Sequence, residues 1–570
     1  MAGSIWMLHV GQALIGWSLA IGTFVWAFRV QSRCATSPDR SFRFSAPEGA
    51  LLAIVLLLAA LMRLPFVGTH VTGLQADEAN NLSDAFEVAF GGLIRSPFVT
   101  GWGGTPTFPD YIVGAAFKIL GPECWVARSV SAFFSLGAIF FFFKWCRFWM
   151  GQAAALVASL LMAASWWFLY FSLSTFHNSI LFFAEVGAFY TLENGFRTGR
   201  RVYFALAGLF AAMCVMNYVN GRSIPVMMAL TILGYSAVKG WDFLKGYWKQ
   251  LFLVLFAFLW LVGPYLIHAT QYPGEVWGRV HADWIAAHAK ETGNYFFLPV
   301  SYFWTLTTLW APNTQVDTRF AYFDPFLDPY TGALAMLGIG TCLFNLRKSL
   351  SWVLLPGLFM GLSANALGHY DSPMAYVHSV RLSAIIPFVF LAVGNGFDWL
   401  AGFYRLFPKP RWNWLGWSAS AGLVLAMALN LNVIFGHFSK DRSTWGERGL
   451  KYIQEAKILN DHYPQDQLMV ESDCLSSAVY FLTKGGARFK IYGMDPPIPI
   501  PFEAKRNVML VFEPWRLSDG GKARIQKTYP KAVWTVYQSP MGDPFLTGVE
   551  ISLEDVLASQ SGMAVTESLP

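Results

Sequence analysis

The sequence predicts a mainly α-helical polytopic membrane protein that ends in a soluble α/β domain, and three observations predict it. Of the 570 residues, 55% are hydrophobic and only 13% charged, for a mean hydropathy of +0.41, a balance foreign to a soluble chain of that length. Apolar segments long enough to cross roughly 30 Å of hydrocarbon recur from residue 4 to residue 435. Beyond residue 436 they stop, and short β-rich runs alternate with polar helix-like segments.

A span needs about 20 apolar residues, which gives about twelve transmembrane helices, near 4–28, 48–68, 123–143, 152–172, 178–195, 203–219, 223–238, 250–269, 330–346, 351–367, 381–400 and 413–435. The first, "SIWMLHVGQALIGWSLAIGTFVWAF", is too long for a signal-peptide core and has no basic start, so it reads as a retained helix. Residues 1–47 then form an additional N-terminal helix with a cytoplasmic loop, ahead of a transmembrane domain over 48–435 and an extracytoplasmic domain over 436–570.

Sidedness comes from the basic loops. Arg29 to Arg43, Lys144 with Arg147, Arg197 to Arg201, Lys239 to Lys249, Arg347 with Lys348, and Arg405 to Arg411 occupy every second loop. The excess of Lys and Arg marks those loops as cytoplasmic. Residues 69–122, 270–329, 368–380 and the tail therefore face outward from the cell (inner) membrane. Trp166, Trp167, Trp241, Trp248, Trp310 and Trp412 stand at the ends of apolar runs, where amphipathic rings settle among headgroups. The net charge of +6 belongs to these loops and implies a bilayer partner and no nucleic acid. Six scattered cysteines without CxxC spacing give no disulfide framework.

In the tail, "QLMVES", "ARFKIYG", "NVMLVFE", "AVWTVYQ" and "FLTGVEIS" read as strands. "TWGERGLKYIQEAKILNDHY" and "SDGGKARIQKTY" read as helices, the alternation of an α/β domain.

Directly behind the segment ending at Phe66 lies "GLQADEANNLSDAFEVAFGG", residues 73–92. Leu82, Phe86 and Phe90 recur every fourth residue from Glu78 onward, and Gly91–Gly92 supplies a left-handed stop. Asp77 stands where an N-cap belongs and Glu78 where the helix dipole favours negative charge, which is a sufficient structural reason for both. A catalytic reading comes from the neighbouring sequence.

"GWGGTPTFPDYIVGAAFKILGP", "SWWFLYFSLSTFHNSILFF", "ENGFRTGRRVYFALAGLF", "NYVNGRSIPVMMAL" and "HSVRLSAIIPFVFLAVG" follow the "ADEA" acids in order. The set resembles the GT-C class of membrane glycosyltransferases, in particular the protein-O-mannosyltransferase and aminoarabinose-transferase-like family that uses polyprenyl-phosphate sugars. The resemblance covers roughly residues 48–400. Two departures stand out: the additional N-terminal span, and Thr175 where relatives often carry Arg.

The resemblance implies a glycosyltransferase that moves a hexosyl or pentosyl group from a polyprenyl-phosphate donor to an extracytoplasmic acceptor, which is a protein, lipid or glycan. A phosphate is already a good leaving group, so no second carboxyl group is needed to protonate it, in contrast to glycosidases. One base within about 3 Å of the attacking atom is enough, and a single displacement inverts the anomeric centre. Asp77 is the choice for that base. Adjacent residues point apart on a helix, so Glu78 is left to orient the acceptor, hold the loop or bind a cation. The departing phosphate calls for forked guanidinium groups: Arg381 and Arg222, with His378 beside them. Each arginine equally suits an interfacial anchor. Asp110, His177, Asn178, His369 and Tyr370 are candidate substrate contacts. The sequence marks no certain cofactor, and Glu78 or His378 would serve a divalent cation such as Mg or Mn. The outer loop 270–329, with His281, Asp283, Asp324 and Asp328, is a candidate cover for the lipid donor.

Two other functions fit the same chain. A transporter or flippase for a lipid-linked substrate would place ionisable groups near the bilayer midplane, where Arg63, Arg128 and Glu185 are the main examples. A catalytically inactive GT-C-like subunit of a membrane assembly would keep the fold without the site.

Overall fold

The computed structural model describes residues 46–69, 72–92, 94, 96–282, 284–310, 325–368, 377–404, 414–437, 445, 449–483, 489–493 and 495–566. The chain divides into two units: Met1–Val71 with Asp84–Phe438, and Thr72–Ser83 with Ser439–Pro570.

The first unit is helical. Its helices are α1 (Ala46–Leu61), the end of α2 (Ala76–Phe86), α3 (Phe108–Leu120), α4 (Cys124–Cys146), α5 (Gln152–Ala164), α6 (Trp166–Leu173), α7 (Asn178–Thr198), α8 (Arg201–Val215), α9 (Ile224–Lys239) and α10 (Trp241–Gln271). They continue with α11 (Pro273–Ala282), α12 (Ile285–Thr292), α13 (Phe297–Thr307), α14 (Pro329–Leu343), α15 (Ser351–Ala366), α16 (Ser379–Leu382), α17 (Ile386–Tyr404) and α18 (Trp414–Asn432).

Every expected span from 48–68 onward falls on a helix, and the one at 4–28 lies outside the described residues. The count of about twelve is not reached. Among the described residues six helices are long and apolar enough to cross a membrane, or seven if α5 and α6, bent by 56°, form one span. Three expected spans, Arg201–Val215, Pro329–Leu343 and Ser351–Ala366, are shorter. At 1.5 Å per residue, 15 residues reach only about 22 Å, less than the hydrocarbon thickness. The chain is a multi-pass membrane protein with helices of unequal length.

Two local features shape this unit. The break between α5 and α6 exposes the backbone N–H of Trp166, and Asn430 Oδ1 accepts it at 2.9 Å. The amide of Asn430 in turn donates to Asp328 Oδ2 at 2.9 Å. Asp328 caps α14, its Oδ1 taking the N–H groups of Tyr330 and Thr331, each at 3.0 Å, so this acid of the expected cover loop has a structural duty. Helices α14 and α17 meet backbone to backbone: a Cβ at Gly338 would fall 1.8 Å from Ala392 O, and one at Gly396 2.1 Å from Leu334 O. Small residues at a crossing permit that approach.

The second unit contains a five-stranded sheet of β1 (Gln467–Glu471), β2 (Lys490–Tyr492), β3 (Val508–Phe512), β4 (Val533–Gln538) and β5 (Pro544–Ile551), in the order β2-β1-β3-β5-β4. Strand β1 pairs parallel with β2 and β3, whereas β5 runs antiparallel to β3 and β4. The central β3, "VMLVF", is buried along its whole length. Val508, Leu510 and Phe512 enter one apolar cluster, Met509 and Val511 the other, the signature of a strand covered on both faces. All five strands and both helices read in the tail are present, the helices as Leu450–His462 and Asp519–Thr528.

Candidate active site

The two arginines expected at the phosphate line one cavity. It has a volume of about 460 Å³ and a mostly apolar wall that includes Tyr218, Val226, Trp277, Trp284, Met360 and Leu367 beside Arg222 and Arg381. Arg222 follows Asn220 in a short turn ahead of α9. Its Nη1 and Nη2 donate to Val276 O, both at 3.2 Å, and Nη2 also donates to Tyr265 Oη at 3.1 Å. The guanidinium lies 4.7 Å from the Trp277 ring centroid, a stacking that a planar cation favours. Arg381 sits on α16 and donates through Nη1 to the carbonyl of Gly368.

What fixes Arg381 is a pair of buried amides. Asn220 Nδ2 donates to Val380 O at 3.1 Å, Arg381 O at 3.2 Å and Ser383 Oγ at 3.0 Å. Asn178 Nδ2 donates to the same Ser383 Oγ at 2.7 Å. Asn178, expected to touch substrate, is fully buried and positions the turn that carries Arg381. His378 does not line the cavity; it is buried, and its backbone N–H donates to Asn365 Oδ1 at 2.8 Å.

Asp110 and His177, expected as separate substrate contacts, form a buried pair. Asp110 stands in the first turn of α3 and His177 immediately before α7, and Nε2 lies 2.9 Å from Oδ1. Burial raises the Asp110 pKa, opposed by the charge and hydrogen bond of His177. Asp84, at the end of α2, accepts the Trp102 N–H at 2.7 Å and thereby anchors the 101–104 turn. Its carboxyl is raised to about 6, first by burial and then by Asp110, with Glu87 adding to the rise while the Trp102 bond and His177 oppose it.

Asp77 and Glu78 belong to the second unit. Helix α2 begins at Ala76, so the N-cap position falls to Gln75 and not, as expected, to Asp77. Gln75 Oε1 accepts the Asp77 N–H at 2.6 Å, and Glu78 Oε2 accepts the Gln75 N–H at 3.2 Å. This is the reciprocal arrangement of a capping box, and it gives Glu78 the loop-holding role. The expected helical stop is present, with Gly92 left-handed at φ 74°. His369, Tyr370, Asp283 and Asp324 lie outside the described residues, as does the side chain of His281. Among the described residues no three His, Cys, Asp or Glu side chains gather as metal ligands, and no step is assigned to a metal.

Sequence reasoning passed over Asn220, Ser383, Asp84 and Glu275. The first two carried a signal, an Asn two residues before Arg222 and a Ser two residues after Arg381, both polar groups at the edge of apolar runs.

With this geometry in place, the relatives are informative. Residues 105–268 match the family model of dolichyl-phosphate-mannose-protein mannosyltransferase, a stretch that carries Asp110, His177, Asn178 and Arg222. ArnT from Cupriavidus metallidurans bound to undecaprenyl phosphate has the same fold, with a TM-score of 0.50 at 14% identity over 88% of this chain and 97% of that one. Its apo state gives 0.50 at 13% identity over 89% and 98%. The Archaeoglobus fulgidus oligosaccharyltransferase tethered with an acceptor peptide gives 0.46 at 15% identity over 88% and 74%. No curated protein sequence matches the chain. The fold is that of the ArnT structures, and the resemblance carried by the sequence motifs is met by the family match over residues 105–268 and by that fold.

Proposed function

We propose that the protein is an inverting glycosyltransferase that moves a sugar from a polyprenyl-phosphate donor to an extracytoplasmic acceptor. The observation that carries this reading is the convergence of Arg222 and Arg381 on one largely apolar cavity. A prenyl phosphate has the matching composition: an apolar chain that gains by leaving water, and an anionic head that a forked guanidinium binds through charge-assisted hydrogen bonds. The likeness to a fold solved with undecaprenyl phosphate points the same way.

In the reaction the acceptor gives its proton to Asp77 as its oxygen or nitrogen bonds to the anomeric carbon. The bond from that carbon to the phosphate oxygen breaks, and the lipid phosphate leaves with the electron pair. Arg222 and Arg381 stabilise the charge that grows on it. Glu78 closes the start of α2 through Gln75 and keeps the neighbouring acid in place. A lone base suits a single displacement, hence inversion.

The test uses membranes of the source cell, which hold the acceptor, and follows release of undecaprenyl phosphate from undecaprenyl-phosphate sugars. Asp77→Asn should lower release by about 10²- to 10⁴-fold, the range of a general base, with no change in melting temperature. Release at the wild-type rate would take the base away from Asp77.

A further inference from the structure

A second opening lies against the other part of α11. It is an open cleft of about 470 Å³ lined by Trp102, Gly103, Gly104, Gly274, Glu275 and Gly278. From its chemistry we infer that it is the subsite for the sugar ring of the donor, with Trp102 as the stacking surface and Glu275 as the acceptor for sugar hydroxyl or amino groups. This rests on the reading of the larger cavity as the lipid-phosphate site.

The two openings differ in composition as the two ends of a lipid-linked sugar differ. The cleft has no basic side chain to hold a phosphate and no aliphatic one to hold a prenyl chain. Four of its six lining residues are glycines, so its walls carry little side-chain bulk and leave room for a ring. Its volume is in the ordinary range for small-ligand sites, about 300–1,000 Å³. Gly104 is required there: φ is +72°, and a Cβ would fall 2.4 Å from Glu275 O, so any side chain would force the 101–104 turn away from α11.

The backbone of Trp102 and the carboxylate of Glu275 are held in position. Trp102 keeps 38% of its surface exposed while Asp84 pins its backbone N–H at 2.7 Å. An indole carried on a turn anchored in that manner suits the C–H face of a sugar ring, being apolar in body with a polar edge. Glu275 Oε2 accepts from Thr100 Oγ1 at 2.9 Å and lies 3.5 Å from His268 Nε2. A carboxylate anchored through one oxygen keeps acceptor capacity for hydroxyl donors.

Helix α11 also connects the cleft to the cavity. The residue after Glu275 is Val276, whose carbonyl receives Arg222, and the next is Trp277, on which Arg222 stacks. Sugar and phosphate are thus recognised from successive residues of one ten-residue helix.

The experiment measures dissociation constants of the purified full-length protein in nanodiscs for undecaprenyl phosphate and for its mannosyl, glucosyl and aminopentosyl derivatives. For the wild type, at least one sugar-bearing lipid should bind about tenfold tighter than the bare lipid. Trp102→Ala and Glu275→Gln should each erase that gain and leave the bare-lipid constant within about twofold. Trp102→Phe, which keeps a ring, should restore part of it. Trp102→Ala retains the N–H that Asp84 holds, and an unchanged melting temperature confirms its fold. A gain that persists in both variants, or no gain for any sugar in the wild type, overturns the assignment. Failure of the wild type to bind even the bare lipid overturns the lipid-phosphate reading first, and this one with it.

Discussion

Arginines occur in two settings in the membrane unit, and the contrast separates architecture from function. Around Arg63 the protein is closed: the side chain is wholly buried, Nε donates to Ser135 Oγ at 2.9 Å, Nη1 to Ala59 O at 3.0 Å and Nη2 to Ala163 O at 3.0 Å, and Phe168 lies 5.3 Å from the guanidinium carbon. Every nitrogen is engaged by protein. Around Arg222 and Arg381 the protein is open: both line a cavity, while Arg222 also donates to Val276 O and the buried Tyr265 Oη and Arg381 to Gly368 O. A charge inside a membrane protein that faces space a ligand can fill is a candidate for function, whereas one that is wholly buried with every nitrogen bonded to protein is accounted for by structure. Arg63, which from sequence alone suits a transport pathway, is of the second kind.

The largest effect expected from this contrast is on folding. Arg63→Ala leaves Ser135 Oγ and two carbonyls without their donor, and losses of about 1–3 kcal/mol for each buried unsatisfied group should abolish the thermal transition of the purified protein in detergent or lower it sharply. Arg63→Lys should fail to rescue it, since an ammonium cannot span the three acceptors of a planar fork. A melting temperature equal to that of the wild type would place Arg63 with Arg222 and Arg381 and undo the distinction.

A smaller effect sharpens it from the acidic side. The folded-state pKa of Asp84 is raised from 3.8 to about 6, so the folded protein binds this proton more tightly than the unfolded chain does. Wild-type stability relative to Asp84→Asn should therefore fall as pH rises from about 4 to about 6 and level off above that. Asn retains an oxygen for the Trp102 N–H, so the turn is preserved in the variant. Parallel pH profiles of melting temperature would show that Asp84 is not perturbed.

Much of the fold was legible because it rests on local signals: apolar length for the membrane helices, alternating strands and helices for the tail, a glycine stop at Gly92. The span count was not, because α8, α14 and α15 are mostly apolar yet shorter than a bilayer, α7 is long enough but carries Glu185, Glu193 and Arg197 and is not among the helices apolar enough to cross one, and apolar flanking residues conceal where each helix ends. The candidate site was legible by residue type and illegible by partner. Arg222 and Arg381, chosen as phosphate ligands, line one cavity, but the amides that fix the Arg381 turn reach Val380 and Ser383 from 160 and 205 residues away. Asp110 and His177 each stood out as a polar group among apolar neighbours, and only the structure shows that they are paired. The helix start was misplaced for a different reason. Aspartate is the commoner cap, and Gln75 took the position because Glu78 reaches back to complete the box.

The proposed binding of a prenyl-lipid phosphate by Arg222 and Arg381 is tested by comparing undecaprenyl phosphate with undecaprenol on the wild type and on Arg222→Ala/Arg381→Ala. The wild type should bind the phosphate at least about 100-fold more tightly than the alcohol, roughly the strength of charge-assisted bonds, and the double variant should bind the two alike. A double variant that still prefers the phosphate by the wild-type factor would contradict it.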